Sequence, residues 1–307
     1  MLWRVRTRLV DRPGSLAHLA RGCGDAGVNI LGLQIFPGVD AVTDELVIST
    51  PDGWTETEVE TLVAGSGGRS TAVRPCTETA LADQATRYVQ AARTILTDPA
   101  AFPSVAARLF DAEPVVGATT AGDVMDMSLG DVTVQVGRAA PFTATEHARG
   151  AALAALVGDV LVRQHAAAAA ATGGSPGAGP VPATGRRVGG GVTPAYVVDG
   201  DVVRAEVDGA VVGVAQLRPA AGDPTVRGVT LRVEAGWQRR GIGTRLLVAV
   251  ARVAAGSGAA EVVLSTRADN RAVLPLVLGA GLRGRIRMAS DTLTVRVPVR
   301  DLAPLRG

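Results

Sequence analysis

Between Thr172 and Gly191 the chain reads Thr172-Gly173-Gly174-Ser175-Pro176-Gly177 and closes on Gly189-Gly190-Gly191. Such a stretch has few side chains to bury and much backbone freedom to lose, so it cannot form a core. Six alanines, Ala166–Ala171, extend the helical pattern before it. Residues 166–191 therefore read as a flexible linker, and separate bodies are expected on its two sides. The full length of 307 residues agrees, at about 150 residues per domain.

Composition narrows the class. Hydrophobic residues make up 47% and charged residues 20%, which excludes a disordered or collagen-like chain. Two cysteines, Cys23 and Cys76, exclude a disulfide scaffold or a Cys-rich zinc module. The histidines, His18, His147 and His165, are scattered, so no metal site is expected. All 31 basic residues are arginine. Residues 1–165 hold 13 of them against 19 acids, a net −6, while residues 225–300 hold 13 against 4, a net +9. An arginine cluster suits a phosphorylated cofactor or another polyanion, with a solvated arginine-rich face as the alternative. Met1–Val10 alternates like a strand rather than a signal peptide, and no apolar run reaches the ~18 residues of a membrane span. A cytoplasmic protein with no membrane partner is expected.

Residues 1–76 alternate strand and helix. Trp3–Val10 predicts a strand, and Asp11-Arg12-Pro13-Gly14 has turn chemistry. Leu16, Leu19, Ala20 and Cys23 share one helical face, and Gly27 ends that helix. Asn29–Phe36 and Glu45–Thr50 predict strands. Thr55 and Glu58 form a capping-box pattern before a second helix, and Thr71–Arg74 closes the unit. The order βαββαβ is a ferredoxin-like split unit. Asp11-Arg12-Pro13-Gly14-Ser15-Leu16 followed by Ala26-Gly27-Val28-Asn29-Ile30 resembles an ACT domain. That resemblance implies an amino-acid effector bound by Asp11, Pro13, Gly14, Ser15, Asn29 and Ile30, where the first turn of one copy faces the second strand of another. It also implies a homodimer. The alternative is that Pro13 and Gly14 merely shape a turn and Asn29 caps a strand.

Residues 77–165 predict a reduced middle domain. Leu81, Ala85, Tyr88, Ala92 and Ile95 follow helical spacing. Met125, Met127 and Leu129, then Val132, Val134 and Val136, alternate around Gly130-Asp131, a two-residue hairpin turn. Thr143 and Glu146 predict the cap of a long helix. The stretch Pro141-Phe142-Thr143 weakly resembles the tail of a GAF domain. Met125 and Met127 read as core residues rather than metal ligands.

Residues 192–300 open with a hairpin, Val202–Val207 and Val211–Leu217 around Asp208-Gly209. A strand is predicted at Thr225–Glu234, a helix at Thr244–Ala255 and a strand at Glu261–Thr266. A helix at Asn270–Leu278, bent or loosened by Pro275, precedes two last strands. Gln238-Arg239-Arg240-Gly241-Ile242-Gly243-Thr244 lies between strand and helix. Its glycines let backbone N–H groups cradle a diphosphate at the helix start. Without lysine it is no P-loop, and its spacing is not a dinucleotide-binding fingerprint. Nucleic acid is not expected, because there is no helix-turn-helix pattern and little aromatic content.

With Val229–Val233 before it, and Asn270 and Gly281-Leu282 after it, this stretch resembles motif A of the GNAT N-acetyltransferases. The resemblance implies that acetyl-CoA is held by Val233, Gln238, Arg239, Arg240, Gly241, Ile242, Gly243, Thr244 and Asn270, and that an amine acceptor attacks its thioester. The family's general-acid tyrosine falls here on Val277. Glu234 is the candidate base, and Tyr196 has no assigned place. The strand and two helices that precede the hairpin in the family, building its substrate side, are missing or greatly reduced. The expectation is an α/β (α+β) protein: a ferredoxin-like ACT unit, a small middle region and a mixed-sheet acetyltransferase unit. A non-catalytic amino-acid and CoA sensor is the alternative.

Overall fold

Alternation along β1 (Leu2–Val10) sends Trp3, Val5 and Leu9 to one face of a sheet and Arg4, Arg6 and Arg8 to the other. A computed structural model describes residues 1–38, 41–81, 84–112, 123–171, 193–220, 222–289 and 291–305. The chain divides into two compact units. One gathers Met1–Arg93 with Arg138–Arg149, and the other gathers Met125–Gly137 with Gly150–Gly307 and a segment after Thr94.

In the first unit β1 is followed by α1 (Ser15–Asp25), β2 (Asn29–Phe36), β3 (Ala41–Ser49), α2 (Glu56–Gly65) and β4 (Arg69–Pro75). The sheet order β2-β3-β1-β4, antiparallel throughout, is the ferredoxin-like arrangement. Trp3, Val5, Leu46 and Ile48 pack against Leu19 and Cys23 of α1 and Val59 and Val63 of α2. Burial pushes the Cys23 thiol up, as suits an inert core thiol. The Thr55–Glu58 capping box is formed in both directions.

On the opposite face, Glu146 is buried between two arginines. Arg6 Nη2 lies 2.6 Å and Arg138 Nη2 2.9 Å from its carboxylate oxygens. The Thr143 amide donates to the same carboxylate at 2.8 Å, and Glu146 N–H returns a bond to Thr143 Oγ1. Burial works to raise the Glu146 pKa. The Arg6 hydrogen bonds, the Arg138 charge and the Thr143 amide outweigh it and hold the carboxyl at about 2.

The middle region does not stand alone. After α3 (Gln84–Thr97) and α4 (Phe102–Leu109), the hairpin of β5 (Asp123–Leu129) and β6 (Val132–Arg138) leads into α5 (Ala144–Ala171). Then come β7 (Ala195–Asp199), β8 (Val202–Val207), β9 (Ala210–Pro219), β10 (Val226–Val233), α6 (Ile242–Gly256), β11 (Glu261–Arg267), α7 (Val273–Ala280), β12 (Gly284–Ala289) and β13 (Thr292–Pro298). One nine-stranded sheet has the order β5-β6-β12-β13-β11-β10-β9-β8-β7. Strand β6 pairs in parallel with β12 from Val132↔Gly284 to Val136↔Met288. Strands from before and after the expected linker thus share one sheet, so the expected body at 77–165 is not separate. The hairpin covers the β12 edge, and loop-closure cost grows only slowly with intervening length. Residues 172–191 of that linker lie outside the described residues.

The helices pack on one face of this sheet. A Cβ on Gly213 of β9 would meet Ile242 and Leu246 of α6, and one on Gly284 of β12 would meet Val277 of α7. A Cβ on Gly150 of α5 would meet Met125 and Met127, so these methionines are core. The other face carries the alternate residues, including Thr133, Gln135, Arg285, Arg287, Thr294 and Arg296. Pro275 does not bend α7. It is the third helical residue, where the missing N–H has no intrahelical acceptor to lose.

Candidate functional site

Strand β10 has two different neighbours. It pairs antiparallel with β9 along Arg227–Val233. It pairs in parallel with β11 only over Val226–Gly228, against Glu261–Val263. From Val229 onward the two strands part, and the β11-facing edge of β10 has no ladder partner among the described residues. Beyond the opening, Gln238 Nε2 donates to the Val233 carbonyl at 3.0 Å and ties the following loop to the strand. Arg239 takes a left-handed φ of 58°, and Gly241 caps α6 at φ 81°.

The start of α6 suits an anion. No side chain caps it and no acid lies in its first turn, so its amide N–H groups and dipole are uncompensated. Gly243 packs closely: an added Cβ would lie 3.3 Å from Leu276 and 3.7 Å from Leu231 and Val233, so a side chain there needs Leu276 to shift. Thr244 faces α7 at Gly279, where an added Cβ would be 3.5 Å from Thr244 Oγ1. Arg240 stacks over the Trp237 ring at 4.8 Å. Asn270 is held by its own turn: its Oδ1 accepts from Ala272 N at 3.0 Å and its Nδ2 donates to Thr266 Oγ1 at 3.0 Å. Of the expected cofactor residues, Val233 through Thr244 thus gather at the end of the opening. The Val233 carbonyl accepts from Gln238 on this side of the strand.

Glu234 follows β10, exposed, with its carboxylate 3.5 Å from Arg232 Nη2. Val277 is fully buried behind β12 and has no proton to donate. Tyr196 is level with Val233, through Ala205 and Gly213, but three strands away, about 14 Å. Its ring lies under Arg245 at 5.8 Å, and burial pushes its phenol up. A tight turn at Gly200-Asp201 joins β7 to β8, where the resemblance led one to look for helices.

The first unit holds a second candidate. Pro13, Gly14 and Ser15 line a cleft of about 340 Å³ with Arg12, His18, Ser66 and Gly67. The last four were not foreseen; Ser66 and Gly67 enter from the α2–β4 turn, which no local sequence pattern connects to α1. Asp11 does not line it, and Asn29 and Ile30 do not reach it. Asn29 is level with Ser49 and Leu2, whereas the Pro13-Gly14 turn follows Val10. Eight residues of strand separate the two ends, roughly 27 Å.

Residues 194–279 match the model of the acetyltransferase (GNAT) family. The C-terminal unit carries a GNAT domain. No curated protein matches the chain. Among solved structures, a Salmonella typhimurium protein described as an acetyltransferase and solved with its cofactor acetyl-CoA is 20% identical, with a TM-score of 0.28, over 34% of this chain and 69% of that one. The ribosomal-protein-alanine N-acetyltransferase of Brucella melitensis is 23% identical, with a TM-score of 0.27, over 31% of this chain and 66% of its own. The diaminobutyrate acetyltransferase of Paenibacillus lautus, in complex with diaminobutyric acid and coenzyme A, is 16% identical, with a TM-score of 0.28, over 33% and 70%. Among the described residues no group of His, Cys, Asp and Glu could hold a metal ion, and no helix is long and apolar enough to cross a membrane.

Proposed function

We propose that this protein moves the acetyl group of acetyl-CoA onto an amine, of a protein lysine or a small molecule, under control of an amino acid bound by an ACT-like N-terminal unit. One observation carries the reading. Strand β10 parts from β11 after Gly228, directly before a glycine-capped helix start that no acid neutralises. The free strand edge suits an extended amide-bearing arm, which adds main-chain hydrogen bonds as a strand does. The helix start, with Arg239 and Arg240, suits the diphosphate. Gln238 through Thr244 hold it, and Val233 and Asn270 flank the arm.

Acetyl-CoA supplies a thioester carbonyl open to attack by a neutral amine. The chain must orient that amine and take its proton, and Glu234 is the candidate base. Val277 gives nothing to the departing thiolate, which leaves that proton to solvent. The same residue favours a second reading, a sensor that binds CoA without turnover. An acceptor screen with and without amino acids separates the two. Turnover abolished by Gly243→Glu supports the enzyme, and acetyl-CoA binding with no turnover on any amine supports the sensor.

The regulatory half of the proposal needs two copies of the chain. Pro13, Gly14 and Ser15 lie at one end of the sheet and Asn29 and Ile30 at the other, so a second copy must bring them together. Strand β2 is an edge strand with Leu31, Leu33 and Ile35 between 42% and 50% exposed, a surface suited to pairing. Sedimentation tests this: a dimer for the wild type and a folded monomer for Ile35→Glu.

A further inference from the structure

The face of the nine-stranded sheet opposite α6 and α7 carries a cluster of arginines. Paired positions run across it as Arg218, Gly228, Val263, Arg296, Arg285 and Thr133. This row passes through Gly228 and Val263, the last pair before β10 and β11 part. The next rows hold Arg287, Arg232 and Arg267, the last two on the strands that flank the opening. Arg285 and Arg296 are direct cross-strand neighbours, and like charges so placed oppose folding. Glu261 engages Arg296 at 2.7 Å, while Arg218, Arg285 and Arg287 have no carboxylate partner among the described residues. The side chains of Arg232 and Arg267 are 79% and 85% exposed, each beside one carboxylate, Glu234 at 3.5 Å and Asp269 at 3.2 Å. Thr133, Gln135, Ser265 and Thr294 fill the neighbouring positions, and none of these residues is aromatic.

We infer that this face docks the acceptor, and that the acceptor is an acidic stretch of polypeptide presenting its amine at the opening between β10 and β11. The inference rests on the acetyl-transfer reading and names its substrate class. Charge complementarity selects the partner: a row of arginines, two of them adjacent at a cost to folding, calls for carboxylates. Nucleic acid is the weaker fit, because single strands are held by stacking on aromatic side chains and this face offers none. A small amine needs a concave site, whereas an extended sheet face suits a macromolecule.

The test is binding of fluorescent peptides to the full chain, without acetyl-CoA. One peptide has a lysine among glutamates and aspartates, and the other has a lysine among arginines. The acidic peptide is expected to bind more tightly, to weaken steadily with added salt, and to lose roughly tenfold in Arg285→Gln/Arg287→Gln. The salt titration of the wild type needs no variant to fold, and a thermal melt checks the pair. Equal binding of both peptides, or unchanged affinity in the folded variant, overturns the inference. So does a single-stranded oligonucleotide that binds more tightly than the acidic peptide and displaces it. Acetyl-CoA is titrated separately. Its failure to bind sinks the acetyl-transfer reading, while peptide failure beside intact acetyl-CoA binding sinks only the docking face.

Discussion

Glu146 shows how a local signal can hide a distant role. The pattern Thr143-x-x-Glu146 announces a helix cap, because both partners lie within one turn. Its arginines, 8 and 140 residues away in sequence, leave no local trace. The carboxylate is held far below its unfolded value of about 4.3, so its stabilisation is fully present above that pH. It is lost as pH falls towards about 2. Glu146→Gln removes the buried carboxylate that Arg6 and Arg138 share, while Arg6 keeps Glu45 at 3.3 Å, and is expected to cost about 3–5 kcal/mol at neutral pH. Urea unfolding at pH 7 and pH 3 checks both points: the variant is less stable at pH 7 and loses less than the wild type on acidification. Val277 is a second residue-scale test. Its Cγ1 would be 2.6 Å from a Cβ on Gly284, so a tyrosine there has no room. Val277→Tyr is expected to lower stability by about 1–3 kcal/mol without raising any turnover, read by melting and an acetyl-transfer assay.

Most elements were legible where the chain signals to itself over short distances. The hairpin turn at Gly130-Asp131, the Thr55 cap and the strand–glycine–helix stretch at 238–244 lie where their chemistry predicts. What was not legible is which strands meet. The hairpin β5–β6 has a clear pattern, but nothing in it names β12 as a partner 150 residues on. Strand β7 and helix α4 were missed although Asp199-Gly200 marks the turn after the strand and Asp98-Pro99 opens the turn before the helix, because each is short. The pairing of β6 with β12 makes a direct prediction. A fragment beginning after the linker exposes the β12 edge and uncovers Ile286 and Met288, both at most 3% exposed. It is expected to aggregate on expression, whereas a fragment that starts at α3 and keeps the hairpin stays in solution. Equal solubility of the two contradicts the pairing.

At the scale of the whole molecule, the linker composition was read as a boundary between bodies, yet strands from both sides form one sheet. Composition reports what a segment cannot do by itself; it does not report what its flanks do together. The candidate cofactor site was more legible than the fold around it, because a helix-start anion site is built from consecutive residues. The residues proposed for an effector divide in space: Pro13, Gly14 and Ser15 meet in one cleft, and Asn29 and Ile30 are a sheet-length away. If a second copy completes that site, an amino acid that binds should stabilise the dimer and change the KM for acetyl-CoA or for the acceptor, as coupled binding requires. The account depends most on the opening beside β10. Isothermal titration of the full chain with acetyl-CoA, beside Gly243→Glu with its melt, tests it most directly. One-to-one binding by the wild type, lost in a folded Gly243→Glu, is the predicted result. No binding by the folded wild type, or equal binding by the variant, contradicts it.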